Sequence, residues 1–421
     1  STKNISIDGL TFQAESVDNQ VEPSRAIEIR GYGGRIIEDV SITNVDVLSH
    51  HGTAMVLADI RGVTVKNYFV EKYTQNYGLT VKGCRGADLE NITIQNPDTR
   101  DDYTGDVNGL VSNDGFEPAA EYMHRNCELY NILGGGFTTE RNRKSGERLT
   151  YKHCVAEGCQ GYGIKTKGER HVILEQCILR DNTGSGVMIR GGDAFDGNDR
   201  NNNGDGGDIE ILHTTIEDSG ENGIKSKGAL DGFGSIFIHH TDIRRSGERG
   251  ISLQQPGYVQ IKDVTIEEST RRGLSLTGNN LDSLEIRDVT VRDAGQNGTT
   301  DWAAEIKMDG ILDIDGVTVS MDADDRPNVG LYMDLERAIQ IDASGFSIDP
   351  GTTSRFRLVR TSNRNDYDYD HPLISISDQN IKVEGDGPPS SGFWVKDDKV
   401  TDGTDTWVCT STGTPGSWSL V

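Results

Sequence analysis

The sequence contains no long apolar run. Nothing approaches the ~18 consecutive apolar residues of a membrane-spanning helix, and no secretory hydrophobic stretch opens the chain. Helical spacing of apolar residues is missing between the strand-like segments, so strands must build the core. Hydrophobic residues are only 34% of the 421, and aromatic residues 6%. That is little for a single globular core of this length, whereas a thin stacked core needs less. Basic charge is scarce as well: 42 Lys and Arg stand against 67 Asp and Glu, a net charge of −25. Phosphates would be repelled by the summed field, which argues against general nucleic-acid binding. The acidic excess, with Arg over Lys, fits a protein of high-salt surroundings, where self-repulsion is screened. It equally fits an acidic extracellular protein.

Glycine, in contrast, is plentiful, at 51 residues. The stretch 161–179 shows what it punctuates: a glycine, a short alternating strand through Ile164 and Thr166, a Gly turn, then a second alternating run through Val172, Leu174, Cys177 and Leu179. Taking the second apolar residue of the second run as an anchor, the phrase recurs at Ile7, Ile37, Ile60, Leu89, His124, Tyr151, Leu174, Ile211, Ile238, Ile261, Ile286, Ile314 and Ile341. A strand repeat of ~20 to 30 residues predicts an all-β parallel β-helix, a solenoid of about 13 coils. A sandwich or barrel would show turns every ~8 to 12 residues without that longer register.

The β-helix is expected over residues 1–383, a Pro/Ser linker over 384–391, and a small C-terminal β module over 392–421, where Trp394, Trp407 and Trp418 cluster. Because Asn4 to Phe12 is already a full repeat, and a solenoid needs a cap on its first coil, a segment is expected upstream of Ser1. Cys127, Cys154 and Cys177 share one repeat position and are expected to stack inward. Buried thiols suit that stacking better than disulfides, since side chains in register point the same way.

The outward position that ends the first strand of each repeat is the most informative. It runs Arg30, Ala58, Lys82, Asn113, Glu140, Lys167, Arg190, Lys227, Gln254, Thr277, Lys307, Asp334. Strands one coil apart lie ~4.8 Å apart, so Lys82, Lys167, Arg190 and Lys227 would form a basic line, with Lys165 and Lys225 beside it and Arg141 after Glu140. Stacked like charges destabilise one another. Glu140 and the acidic turns could neutralise them; otherwise the line is a groove for an extended anionic chain, such as an acidic polysaccharide. Insertions at 98–108 and 191–208 would wall that groove. The second carries Asp199, Asn201, Asn203, Asp205 and Glu210 at the spacing of a calcium loop, oxygens at positions 1, 3 and 5 and glutamate at 12. A plain acidic turn has the same composition, and no helices flank this one.

Two chemistries fit. In β-elimination, Arg190 would neutralise a sugar carboxylate while Lys167 removes the adjacent proton. In hydrolysis, Asp114 or Glu117 would pair with Glu140 across adjacent coils at the ~5 to 9.5 Å glycosidases use. His124, His50/His51 and His239/His240 read as structural or surface residues.

The phrases Asn4-Ile-Ser-Ile-Asp-Gly-Leu-Thr-Phe12 and Asn222-Gly-Ile-Lys-Ser-Lys-Gly228 resemble repeats of the pectate-lyase-like right-handed parallel β-helices. The ending Trp407-Val-Cys-Thr-Ser-Thr-Gly-Thr-Pro-Gly-Ser-Trp418 is similar to C-terminal segments of viral tail proteins with that fold. The resemblance implies a homotrimeric tailspike, extracellular on a virion tail, that binds and often cleaves host-surface glycan. With the acidic composition it points to a virus of halophilic archaea. Its rivals are a non-catalytic adhesin and a secreted polysaccharide lyase or epimerase. The row Asn113, Glu140, Lys167, Arg190 resembles the Lys/Arg/calcium arrangement of alginate-lyase-like β-helices in type and order.

Overall fold

The computed structural model describes residues 3–13, 24–32, 35–74, 76–97, 107–113, 120–140, 148–167, 171–190, 208–227, 234–254, 257–278, 283–295, 302–308, 310–320, 329–334, 338–345, 347–349, 374–376, 380–382, 388, 399–401, 404–411 and 416–421. They fall into two compact units, Ser1–Gly234 and Ser235–Val421. Among the described residues there is no helix, and so none long and apolar enough to cross a membrane.

In the first unit each turn of chain lays one strand in a plain sheet and a cornered pair in a second sheet. The plain sheet stacks Ser24–Arg30, Gly52–Ala58, Tyr77–Lys82, Asn108–Asn113, Phe137–Glu140, Ile164–Lys167, Val187–Arg190 and Ile224–Lys227, all parallel. These strands mark eight turns. The second unit adds four, at Ile251–Gln254, Leu274–Gly278, Trp302–Met308 and Val329–Asp334. The parallel solenoid is thus what the alternation builds, with slightly fewer described turns than the about 13 expected.

The cornered sheet owes its shape to one backbone position. Asn44, Asn67, Asn91 and Asn126 stand in successive turns with φ of 53°, 52°, 55° and 51°, the left-handed region that asparagine tolerates better than other side chains. Their amides form a ladder: Asn67 Nδ2 donates to Asn44 Oδ1 at 2.9 Å, Asn91 to Asn67 at 3.0 Å, and Asn126 to Asn91 at 3.3 Å. Two inward residues precede each corner and two follow it, as in Val40, Ile42, Val45 and Val47, all at most 2% exposed.

Three anchors need correction. Ile7 pairs with Ile42, and Ile37 with Ile60, so the row reaching Leu89 runs through Ile42 and Val65. Asp39 and Gly62 take positive φ. This breaks the period of two and puts Ile37 and Ile60 in an earlier row. At the far end Ile341 faces Leu312, and Ala343 stands opposite Ile314.

Buried thiols follow the inward rows, and all six cysteines are free and buried. Each Sγ of the central stack reaches a carbonyl of the preceding turn: Cys127 that of Leu89, Cys154 that of His124 and Cys177 that of Tyr151. Burial pushes the Cys84 and Cys159 thiols up to about 12, and raises Cys154 and Cys177 well above the usual range. Since the thiolate is the reactive species, iodoacetamide near the ordinary thiol pKa of ~8.5 should leave these four unmodified until the protein is unfolded. Intact mass checks this, and native-state labelling would contradict the packing.

Beside the stack, His124, Phe137 and Tyr151 form an aromatic cluster, each 0% exposed, with ring centroids 4.8, 5.2 and 6.4 Å apart. His124 is therefore a core residue. Corners between sheets are close-stacked: a Cβ on Gly186 would lie 2.4 Å from Ile216 Cγ2 and 2.9 Å from the Gly223 carbonyl, which restricts the position to glycine.

In the second unit the inward rows run Val259, Leu284, Leu312 and Ile261, Ile286, Ile314. Its last strands turn antiparallel: Lys399–Thr401 pairs with Thr406–Ser411, and that with Ser417–Leu420. Trp407 and Trp418 cover a small core of Val400 and Cys409 there. Of the expected linker only Pro388 lies among the described residues.

Candidate functional site

Strand pairing in the plain sheet determines which outward residues become neighbours. Arg30, Ala58, Lys82, Asn113 and Glu140 are successive partners, and so are Lys167, Arg190 and Lys227. Two residues earlier on the same strands Lys165, Met188 and Lys225 are partners. Five cationic positions therefore occupy three adjacent strands, in neighbouring rows ~4.8 Å per strand apart. Lys82 stands three strands away, across Asn113 and Glu140. The two runs are not joined by described pairing: Phe137–Glu140 meets Ile164–Lys167 only at Phe137↔Ile164 and Thr138↔Lys165. The expected adjacency of Glu140 and Lys167 therefore has no ladder behind it.

The outward face is also less open than a bare basic line would be. In the row beside the cations Val56, Thr80, Val111, Thr138 and Met188 are all at most 5% exposed, although alternation turns them away from the core. Lys82 is exposed, while Lys165, Arg190 and Lys225 are half-buried. The covered residues form a floor, apolar at Val56, Val111 and Met188, edged by these charged groups. Sequence reasoning missed this floor because alternation gives a side chain's direction and not what covers it.

Lys225 Nζ meets Glu221 Oε2 at 3.1 Å. Arg190 Nε is buried without a hydrogen-bond partner, as are the Thr80 and Thr138 hydroxyls on the same side of the sheet. Buried polar atoms are nearly always satisfied, by protein or by ordered water, so these three mark polar points beneath the outward face.

Of the remaining candidates, Asp114, Glu117, Arg141, Asp199, Asn201, Asn203 and Asp205 lie outside the described residues. Glu210 pairs with Ile173, and its Oε1 is 2.6 Å from His171 Nε2. The glutamate that closes a calcium loop binds through both oxygens, and here one is already engaged. Among the described residues no group of three or more His, Cys, Asp or Glu is placed to hold a metal ion.

Comparison with known proteins agrees with the strand topology. Residues 25–203 match the family described as a right handed beta helix region. No curated protein matches the chain. Among solved structures, the tailspike receptor binding domain of siphovirus 9NA superposes with a TM-score of 0.51 at 11% identity, covering 100% of this chain and 82% of that one. The A-module of an Azotobacter vinelandii mannuronan C-5 epimerase gives 0.41 at 11%, over 76% and 86%. The receptor-binding protein of bacteriophage Det7 gives 0.36 at 10%, over 99% and 94%. At such identities the likeness is one of fold: a right-handed β-helix like that of a tailspike receptor binding domain.

A second polar cluster, in the unit Ser235–Val421, was not singled out from the sequence. Arg272 Nη1 bonds Glu305 Oε2 at 2.7 Å, and the guanidinium lies 4.7 Å from the Trp302 ring centroid. Its sequence signal is the pair Arg249 and Arg272, each just ahead of a glycine that opens a plain-sheet strand.

Proposed function

We propose that this β-helix holds an acidic polysaccharide along the row of Lys82, Arg190 and Lys227 and depolymerises it by β-elimination, as the receptor-binding protein of a viral tail. The observation that carries the reading is the cluster Lys165, Lys167, Arg190, Lys225 and Lys227 on three adjacent strands of a chain whose net charge is −25. Like charges in facing positions cost stability, and an anionic polymer lying along the solenoid axis offsets that cost at these three turns. Tailspike receptor binding domains with this fold support the viral part of the proposal.

In the elimination, Arg190 pairs with the uronate carboxylate and makes the adjacent C5–H acidic. An amine at the Lys167 position takes that proton, the C4–O bond breaks, a C4–C5 double bond forms, and the departing oxygen is protonated. Expected oxygen ligands at 199–205 would add positive charge if they hold calcium, but no step above depends on a metal.

Incubating the protein with a purified polyuronate tests the reading. New chain ends absorbing in the ultraviolet support elimination. New reducing ends without that absorbance would replace it by hydrolysis, and a complex with no change in polymer length would reduce the protein to an adhesin. Binding should also weaken as salt rises from ~0.1 M to ~1 M, where the Debye length contracts from ~10 to ~3 Å, while a neutral glucan should not bind in either condition. A trimer, the assembly proposed by likeness to tailspikes, would appear as three times the chain mass in solution.

A further inference from the structure

We infer that the unit Ser235–Val421 carries a second ligand site, for a sugar bearing a carboxylate, built from Arg249, Ser252, Arg272, Ser275, Trp302 and Glu305. Its residues are all in the second unit, and the inference does not depend on the cationic row of the first.

Register assembles the site. Ser252, Ser275 and Glu305 are successive partners on three adjacent strands. Two residues ahead of the paired Ile251, Leu274 and Ala304 stand Arg249, Arg272 and Trp302, in turns tied by Gly250 N donating to Arg272 O at 3.0 Å and Gly273 N to Ala303 O at 2.8 Å. Two cations and an aromatic ring therefore follow one another beside a line of two hydroxyls and a carboxylate.

The charges in this array do not balance. Glu305, its side chain 8% exposed, takes Arg272 Nη1 at 2.7 Å and the Ser275 hydroxyl at 3.1 Å, both on Oε2. That pair is internally compensated. Arg249 sits next to it, its Nη1 donating to the neutral Ser252 Oγ at 3.2 Å and its Nε buried with no hydrogen-bond partner. Burial first, then the Arg272 charge, hold its pKa below the usual guanidinium value, with Glu248 and Glu305 acting against this. A second guanidinium held half-buried against the first is costly unless an anion joins them, and a carboxylate accepts paired N–H bonds from such a fork.

The remaining groups select among anions. Free sulfate offers acceptors only, and Glu305 would repel it. A uronic acid offers both kinds of group: its carboxylate accepts from Arg249, its hydroxyls donate to Glu305 Oε1, and its ring has an apolar face for the Trp302 indole.

The test uses the full chain and three probes: glucuronate, methyl glucoside and sulfate, with binding followed by tryptophan fluorescence and by calorimetry. Glucuronate is expected to bind and to shift the fluorescence, Trp302→Phe to abolish that shift, and methyl glucoside and sulfate to bind at least ~10-fold more weakly. Loss of a hydrogen bond to a charged group corresponds to a ~10- to 100-fold weaker Kd in Arg249→Gln. Ser252→Ala, which keeps the charge, should lose less and serves if Arg249→Gln does not fold. The Trp302-dependent fluorescence shift reads this site and polyuronate turnover reads the row of the first unit, so failure here and failure of the polysaccharide row are distinguishable. Sulfate binding as tightly as glucuronate, an Arg249→Gln protein that titrates like the parent, or no heat or fluorescence response to glucuronate would each overturn the inference.

Discussion

Replacing Arg190 with alanine should lower turnover of a polyuronate by ~10²- to 10³-fold, the range seen when one donor to a developing oxyanion is removed. The argument rests on position. Arg190 is register partner to Lys167 on one side and Lys227 on the other, and its Nε is buried without a hydrogen-bond partner, so the guanidinium is already partly desolvated for a carboxylate that arrives with substrate. Arg190→Lys should recover part of the rate, because a point charge replaces the charge but not the planar fork. Initial rates by ultraviolet absorbance, with circular dichroism as a fold control, make the comparison. A folded Arg190→Ala protein with unchanged kcat and KM would remove the row from the chemistry.

Phe137→Ala is expected to cost ~3–5 kcal/mol of stability, the usual range for deleting a fully buried aromatic side chain. Phe137 is 0% exposed and packs beside Tyr151, at 5.2 Å between centroids, and His124, at 6.4 Å. These three residues come from both sheets, so the cavity would open in the middle of the core, where neither sheet can close it alone. Coupling in a solenoid runs through nearest neighbours, so the loss should appear as early melting of the central turns. Urea unfolding followed by hydrogen exchange would show it. Uniform protection across Phe137, Ile164 and Leu110 in the variant would contradict the local picture.

Much of the fold was legible because a solenoid writes its register into the sequence. The rows Leu174, Ile211 and Ile261, Ile286, Ile314 are direct pairings, and the alternation that revealed them is the same alternation that buries them. Ile37 and Ile60 misled because positive φ at Asp39 and Gly62 inserts a step that an apolar pattern does not register. For the site, the sequence showed which residues share an outward row but not what covers them, as the buried Val111 and Met188 make plain. The Arg249, Arg272, Trp302 stack escaped for a different reason. It lies ahead of the strands, in turns where no periodicity links one coil to the next, and only the pairing of Ile251, Leu274 and Ala304 brings the three together.

The asparagine corners also bear on how such a chain changes length. Asn67 donates to Asn44 and Asn91 to Asn67 across separations of 23 and 24 residues, so each amide donates to the turn before it and accepts from the turn after it. A gene segment encoding one such turn could be copied or lost by unequal recombination, and the interrupted chain of amides would rejoin with donor facing acceptor. Growth by whole turns thus poses no fresh folding problem, and a lineage could lengthen or shorten its solenoid without redesigning any interior residue.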